Sequence, residues 1–231
     1  MRVLTDPVET GAVTLCLPQD TQAEAYDYPE SFLAKRVWHL DRRPLNLRSL
    51  QEAATLLSKS KKPLIVAGGG VHYSQASDTL RDFAETFGIP VGETQAGKSS
   101  MSWKDTMGMG AIGVTGTSAA NLLAKNADVV LVIGSRLQDF TTASKQVFNQ
   151  DAKLLHLNVS QYDGLKMDSV ILQADAKSGL ESLKNKLQKA GYQTNPEYRE
   201  RVAQLQSEWT AEVDRLYQLT SKEGNVQTLI V

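Results

Sequence analysis

The chain has 231 residues, of which 41% are hydrophobic and 22% charged, and its formal net charge is −1. This balanced charge gives no reason to expect nucleic acid or an anionic membrane surface as a partner. A single cysteine and three histidines far apart in the sequence predict neither a disulfide nor a metal site. No apolar run approaches the roughly 20 residues of a membrane-spanning helix, and the N-terminus lacks the apolar core of a secretion signal. We therefore expect a cytoplasmic protein that binds no metal by itself.

Residues 1–35 differ in pattern from the rest of the chain. The apolar segment AVTLCLP, residues 12–18, predicts one strand, with Cys16 packed inside it as a buried residue. A polar stretch with proline and aromatic residues follows, which is typical of a linker. The next predicted strand begins only at residue 63, so the first one has no neighbour in the sequence. We expect residues 1–35 to be the C-terminal remnant of a preceding domain together with a linker.

Residues 36–192 alternate between strand-like and helix-like segments. Regular alternation of this kind predicts βαβ units and an α/β fold, a Rossmann-like parallel sheet with helices on both faces. The strands are apolar throughout because both faces of such a sheet are covered. The predicted strands are residues 63–68, 88–92, 128–134, 152–159 and 169–175. Apolar stripes with helical spacing occur at residues 50–57, 80–87, 120–127 and 180–187.

Residues 193–231 predict a helical linker that leads toward a further domain. An apolar stripe over residues 196–219 includes Val202, Leu205 and Trp209, which indicates one long amphipathic helix. The chain then ends in NVQTLIV, an apolar segment with no predicted surface to pack on. We expect Trp209 and this tail to contact neighbouring domains.

The segment GETQAGKS matches the phosphate-binding pattern G-x-x-x-x-G-K-[ST] through Gly92, Gly97, Lys98 and Ser99. A P-loop also needs a helix that begins at its Gly-Lys-Ser, because the N-terminal amides of that helix hold the phosphates. The sequence that follows, SSMSWKDTMGMG, contains poor helix formers and glycines. The best candidate strand to supply an aspartate for Mg²⁺, residues 128–134, is followed by Ser-Arg, and Asp139 comes too late after it. We predict that the match is accidental.

A second pattern, G-x-G-x-x-G, is formed by Gly108, Gly110 and Gly113. The dinucleotide fingerprint requires a strand before it, and none is predicted here. A helix is predicted after it, with Thr117 or Ser118 as its N-cap. We interpret the segment as a glycine-rich loop that leads into a helix, which still permits anion binding.

The ends of the predicted strands carry residues that could form a nucleotide crevice. Ligands of open parallel sheets bind beyond the carboxyl ends of the strands, where glycines admit a ligand, arginine pairs with phosphate and a carboxylate holds a ribose. The alternative is a set of tight strand-to-helix turns with a structural Arg–Asp pair, and the residues alone leave both open. The candidates are Gly68, Gly69, Gly70, Arg136, Asn158 and Asp175.

Taken together, residues 61–100, 110–148 and 154–176 resemble the middle domain of thiamine-diphosphate-dependent enzymes. This family includes acetohydroxyacid synthase, pyruvate oxidase and oxalyl-CoA decarboxylase. The segments ETQAGK, GVTGT and SRLQDFTTASK resemble most a branch that hydrolyses a cyclic 1,2-diketone in myo-inositol breakdown. Another member, such as a carboligase or decarboxylase, is the alternative within the family. A stand-alone nucleotide-binding domain is the alternative outside it.

The resemblance implies that the chain is the central scaffold domain of a larger, homo-oligomeric enzyme. Thiamine diphosphate and Mg²⁺ are held by the other domains of that polypeptide in this family, through a Gly-Asp-Gly segment that this sequence lacks. The resemblance therefore implies that the chain carries no catalytic residue and is inactive alone.

Some relatives bind FAD or ADP in this domain, and their glycine loop, arginine and acidic residue match Gly68–Gly70, Arg136 and Asp175. Flavin-binding relatives also carry Met-x-x-His-Gly where this chain has GMGAIGVTG, and an aspartate where it has Asn158. These departures argue against FAD. We expect a vestigial site, an ADP-type site or an empty one.

Overall fold

The computed structural model describes residues 1–218, which divide into two units, one of residues 1–42 and one that begins at Arg43. The first unit contains three one-turn helices, α1 (Arg2–Thr5), α2 (Gln19–Gln22) and α3 (Glu30–Leu33). Residues 12–18 form no strand, and Cys16 is exposed, so the prediction of a strand with a packed cysteine is wrong. A strand needs a neighbour to pair with its backbone groups, and the first unit contains no other strand.

Six parallel strands form the centre of the second unit in the described part of the chain. They are β1 (Pro63–Ala67), β2 (Val91–Glu93), β3 (Gly108–Ala111), β4 (Val129–Ile133), β5 (Lys153–Asn158) and β6 (Val170–Gln173). Their order in the sheet is β3-β2-β1-β4-β5-β6. The chain runs outward from β1 to β3 and then returns to the other side of β1 at β4. This order confirms the predicted Rossmann-like α/β fold and puts its topological switch point between β1 and β4.

The two central strands are buried along their whole length. Every residue of β1, PLIVA, and of β4, VVLVI, is buried, and Ile65 pairs with Leu131 in register. Successive side chains of a strand point to opposite faces, so these strands contribute to a hydrophobic cluster on each side of the sheet. The structure therefore confirms the prediction that these strands are apolar throughout because both faces of the sheet are covered.

Helices cover both faces of the sheet. They are α4 (Leu47–Lys59), α5 (Gly70–Tyr73), α6 (Ser77–Phe87), α7 (Ser118–Asn126), α8 (Asp139–Thr142), α9 (Tyr162–Leu165), α10 (Ala176–Lys189) and α11 (Pro196–Tyr217). The four predicted apolar stripes lie on α4, α6, α7 and α10, as expected. Buried residues of α4, α6 and α10 belong to one hydrophobic cluster, and those of α7 and α11 belong to the other. None of the helices within residues 1–218 is both long and apolar enough to cross a bilayer.

The long C-terminal helix packs on the sheet. Val202 and Leu205 of α11 are buried in the second cluster, and Trp209 packs against the same cluster. The hydroxyl of Tyr198 donates to the carbonyl oxygen of Pro63 at 2.7 Å. Trp209 is only partly buried by this packing, so the expectation that it contacts a neighbouring domain stays a prediction. The predicted partner surface on the tail NVQTLIV lies outside the described residues.

The segment with the G-x-G-x-x-G pattern contains an edge strand that sequence reasoning missed. β3 pairs with β2 through Val91–Gly108 and Glu93–Ala111, with an irregularity between these two pairs. Its sequence, GMGA, lacks the β-branched and aromatic residues that favour strands. Pairing with β2 overrides this weak local preference. The predicted N-cap after it is confirmed, since Thr117 Oγ1 accepts a hydrogen bond from the Ala120 amide at 3.0 Å.

Candidate functional site

The glycine loop after β1 packs directly against the loop after β4. The amide of Gly68 donates to Ile133 O at 2.8 Å, and that of Gly70 donates to Gly134 O at 2.9 Å. A Cβ atom on Gly70 would lie 2.6 Å from Gly134 Cα, and one on Gly68 would lie 2.7 Å from Ser135 Cα. Both positions therefore require glycine because two stretches of backbone touch there. This contact accounts for Gly68 and Gly70 without a ligand.

Gly69 has a different neighbour. A Cβ atom on Gly69 would lie 3.3 Å from both the Cβ and the backbone oxygen of Ala96, in the loop after β2. The partly exposed Gly69 thus faces the loop after β2, whereas Gly68 and Gly70 face the loop after β4. The three glycines that the sequence presents as one loop have two separate structural roles.

Asn158 and a buried histidine hold the loop after β4 from the other side. His156 Nε2 donates to Ser135 O at 2.7 Å, and Asn158 Nδ2 donates to the same oxygen at 3.4 Å. The carbonyl oxygen can only accept, so Nε2 carries the proton and Nδ1 is unprotonated in the neutral ring. That Nδ1 is buried without a hydrogen-bond partner among the described residues, and it lies against Gly164. Burial lowers the pKa of His156.

His156 is a site residue that the sequence did not reveal. It lies in the middle of the apolar strand LLHLN, and no spacing connects it with another histidine or a carboxylate. A polar residue inside a strand buried on both faces is the one signal available, because such a group requires a hydrogen-bond partner.

Arg136 and Asp175 are not brought together as a pair. The Arg136 side chain is exposed and forms no ion pair within residues 1–218. Asp175 is buried and caps α10, where its carboxylate accepts hydrogen bonds from the Ser178 amide at 3.2 Å and from the Ser74 hydroxyl. The Arg–Asp pair of the structural alternative is thus not formed between these residues, and the carboxylate of Asp175 is engaged within the fold.

The segment with the P-loop pattern folds back on itself. Thr94 Oγ1 accepts from the Gly97 amide at 3.1 Å, in a 3₁₀ turn of residues Gln95–Gly97. The Lys98 amide donates to Gln95 O, and no α-helix begins between Lys98 and Ser118. The amides that would bind phosphate are consequently directed into the loop. The prediction that the pattern is not a P-loop is confirmed.

The side chain of Glu93, at the end of β2, bonds to the backbone of the loop that follows this strand. Its Oε1 accepts a hydrogen bond from the Met101 amide at 2.8 Å. Burial raises the pKa of Glu93, while the amides of Met101 and Ser100 and the nearby His72 and Lys98 oppose that rise. The carboxylate is therefore a partly buried group whose charged form is disfavoured.

Sequence comparisons identify the class to which this fold and loop arrangement belong. The family described as thiamine pyrophosphate enzyme, central domain, matches residues 50–183, which include the sheet and the switch-point loops. The chain belongs to this family.

Several proteins similar to this chain in sequence carry the same name. The chain is 46% identical over 226 residues to 3D-(3,5/4)-trihydroxycyclohexane-1,2-dione hydrolase of Clostridium tetani, across 96% of this chain and 35% of that protein. Proteins of the same name from Bacillus cereus and Bacillus thuringiensis are 47% and 46% identical, across 95% of this chain and 34% of each relative. The chain thus spans about a third of the length of these relatives.

Proposed function

We propose that the chain is the non-catalytic central scaffold domain of a thiamine-diphosphate-dependent hydrolase that opens the ring of trihydroxycyclohexane-1,2-dione in myo-inositol catabolism. The observation that supports this most is the 46% identity to a hydrolase of that name over 96% of the chain. The similarity extends well beyond residues 50–183, the part that the family as a whole shares.

The residues of this chain do not fit thiamine diphosphate with Mg²⁺. The sequence contains no Gly-Asp-Gly segment, and residues 1–218 hold no group of three histidine, cysteine or acidic side chains suited to a metal ion. We therefore assign the cofactor, its Mg²⁺ and the cyclic diketone to other parts of a longer polypeptide, which we propose to be a cytoplasmic homo-oligomer. The contribution of this chain is a rigid sheet that spaces and orients those parts.

We propose further that the crevice of Gly68, Gly69, Gly70, Arg136, Asn158 and Asp175 is vestigial as an ADP or FAD site. Gly68 and Gly70 contact the loop after β4, Asn158 bonds to Ser135, and Asp175 caps a helix. Arg136 is the one candidate whose charged group is exposed and forms no ion pair in the described residues. Titration calorimetry of the chain with ADP and with FAD tests this proposal. We expect no heat of binding, and tight binding that Arg136→Ala abolishes would show a working nucleotide site.

The function itself is tested on the full-length protein from its native gene. We expect it to open the ring of the dione when thiamine diphosphate and Mg²⁺ are supplied, and we expect the 231-residue chain to be inactive under the same conditions. Formation of a carbon–carbon bond from 2-oxo acids, or decarboxylation without ring opening, would instead identify another activity of the family. A reading frame that is complete within these 231 residues, in a protein that binds a nucleotide, would support the stand-alone alternative.

A further inference from the structure

A buried histidine nitrogen without a partner lies directly beneath the short helix α9. His156 is fully buried, and its Nδ1 accepts no hydrogen bond among the described residues. Gly164, in α9, covers this atom so closely that a Cβ at position 164 would overlap Nδ1. Only glycine therefore fits between the helix and the ring, and this packing suits a ring that carries no proton on Nδ1.

The helix α9 and the turn after it, residues 161–169, are anchored weakly, and we call them the α9 segment. Tyr162 is 75% exposed and Leu165 is 56% exposed, so α9 buries neither of its large apolar side chains. In the turn, Asp168 adopts a φ of 50°, and the hydroxyl of Ser169 is buried without a partner in the described residues. A segment with little buried apolar area, a strained residue and an unpaired hydroxyl leaves its position at a small cost in free energy.

The charged side chains that act on the ring lie on this same segment. The pKa of His156 is lowered mainly by burial, and of the charged groups Asp163 raises it and Lys166 lowers it. These two side chains form an ion pair, with Lys166 Nζ 2.9 Å from Asp163 Oδ1. Asp163 also immediately precedes the glycine that covers Nδ1. A shift of α9 along the ring therefore brings this carboxylate toward Nδ1.

The other elements around the ring supply no counter-charge. Val132 of β4 and Ile171 of β6 flank the ring in the sheet. The loop after β4 contributes the carbonyl oxygen of Ser135, which accepts from Nε2 at 2.7 Å. Arg136 and Asp139 of the same loop are exposed, and neither affects the pKa of the ring. Within the described residues, a second proton on the ring finds its counter-charge on the α9 segment.

We propose that the α9 segment is an acid-responsive switch built on Asp163. With a neutral ring, Gly164 covers Nδ1 and Asp163 is paired with Lys166. When Nδ1 takes up a proton, Asp163 leaves Lys166 and accepts a hydrogen bond from the imidazolium, and the α9 segment moves on the sheet. The rearrangement is favourable because a buried imidazolium needs a paired and hydrogen-bonded counter-charge. The step consumes one proton from solvent and needs no other reactant.

The switch is local because the two ring nitrogens face different parts of the fold. Nε2 keeps its proton in both forms, so its bond to the Ser135 oxygen persists. The loop after β4 therefore stays in place while the α9 segment moves. This inference does not depend on the activity of the longer polypeptide.

Hydrogen exchange followed by mass spectrometry tests the switch in the full-length protein. Exchange at the C2 position of histidine measures the midpoint of the His156 titration. Amide exchange, corrected for the intrinsic effect of pH, measures opening of the backbone. As the pH falls through the His156 midpoint, we expect amide exchange in the α9 segment to rise several-fold. Exchange in residues 129–137, which include β4 and the loop after it, should change much less.

Two variants separate Asp163 from a general loss of charge. Asp163→Asn removes the counter-charge but keeps the size of the side chain, so the His156 midpoint and the rise in exchange should both move to lower pH. Asp168→Asn removes an exposed charge from the same segment, at a φ that asparagine adopts readily, and should behave as wild type. Each variant is compared with itself at pH 8, so that the lost ion pair with Lys166 does not enter the comparison.

Four results would overturn the proposal. The first is titration of His156 with no change in exchange in the α9 segment, and the second is an equal rise in residues 129–137. The third is the same His156 midpoint in Asp163→Asn as in wild type. The fourth is a His156 that remains neutral until the whole chain unfolds.

Discussion

The ring of His156 donates a hydrogen bond to the backbone oxygen of Ser135 across 2.7 Å, and this contact joins the middle of β5 to the switch-point loop. The bond requires a proton on Nε2 only. A second proton would fall on Nδ1, which is buried without a partner among the described residues. The histidine therefore stabilises the loop in its neutral form and opposes protonation.

This arrangement predicts a pH dependence of stability. Burial lowers the pKa of His156 below its ordinary value of 6.5, so the unfolded chain binds a proton at pH values where the folded chain does not. The free energy of unfolding should fall as the pH drops below about 6.5, with a slope of at most about 1.4 kcal/mol per pH unit, and level off below the folded pKa. Urea denaturation between pH 7 and 5 measures this slope.

The control for this prediction is a pair of variants. His156→Gln keeps a donor for Ser135 O and should lose the slope. His39→Gln, in the first unit, should retain it because His156 is still present. An identical pH profile for wild type and His156→Gln would contradict the assignment.

Glu93 should contribute the opposite dependence. Burial raises its pKa above 4.5, so the folded state binds the proton more tightly than the unfolded state. The stabilisation is complete below pH 4.5 and is lost as the pH rises through the folded pKa. Glu93→Gln keeps an acceptor for the Met101 amide without the charge, so it should be more stable than wild type at pH 8. The difference between their unfolding free energies should shrink toward pH 4.5, and a difference that is constant with pH would contradict this account.

Gly68 and Gly70, which lie against the loop after β4, should not tolerate a side chain. Gly70→Ala places a methyl group against Gly134, and we expect it to lower the free energy of unfolding by about 1–3 kcal/mol. Gly69→Ala is the matched control, because the nearest atoms to its methyl group would be the Cβ and the backbone oxygen of Ala96, both at 3.3 Å, rather than backbone at 2.6 Å. Chemical denaturation compares the two variants. Equal costs would show that loop packing is not the reason for glycine at position 70.

Thr117 should contribute to stability through both of its hydrogen bonds. Its hydroxyl donates to Met109 O at 2.6 Å and accepts from the Ala120 amide, which ties α7 to the edge strand β3. Thr117→Ala should lower the free energy of unfolding by about 1–2 kcal/mol, as for the loss of other N-caps. Thr117→Ser retains the hydroxyl and should cost clearly less. Thermal denaturation separates the two, and equal losses would assign the effect to the methyl group instead.

The fold could be predicted where local composition and burial agree. The runs PLIVAG and VVLVIG are apolar throughout, and β1 and β4 are found there with every residue buried. The segments AVTLCLP and GMGA show the limit of this reasoning. The first has strand-like residues but no strand beside it, whereas the second has poor strand formers but a partner in β2. Strand formation in both depends on pairing, which a single sequence does not reveal.

The sequence predicted where the candidate residues lie in the fold, but it did not predict which atoms they contact. The glycines after β1 do lie at the switch point, and Asn158 does lie beside the loop after β4. What they touch depends on loops that are distant in the sequence, such as Gly68 with Gly134 and Asn158 with Ser135. The side chain that holds this arrangement, His156, is hidden in an apolar strand because its partner is a backbone oxygen, which carries no residue identity.

The hydrogen bond from Tyr198 to Pro63 has a consequence for the order of events during synthesis. The two residues are 135 positions apart, and α11 covers a face of the sheet to which β1 contributes Leu64 and Val66. A ribosome that releases the chain from its N-terminus exposes these strands well before α11 emerges. That face of the nascent sheet stays open to water and to chaperones until α11 is made, so this layer closes only after residues 196–217 have left the ribosome.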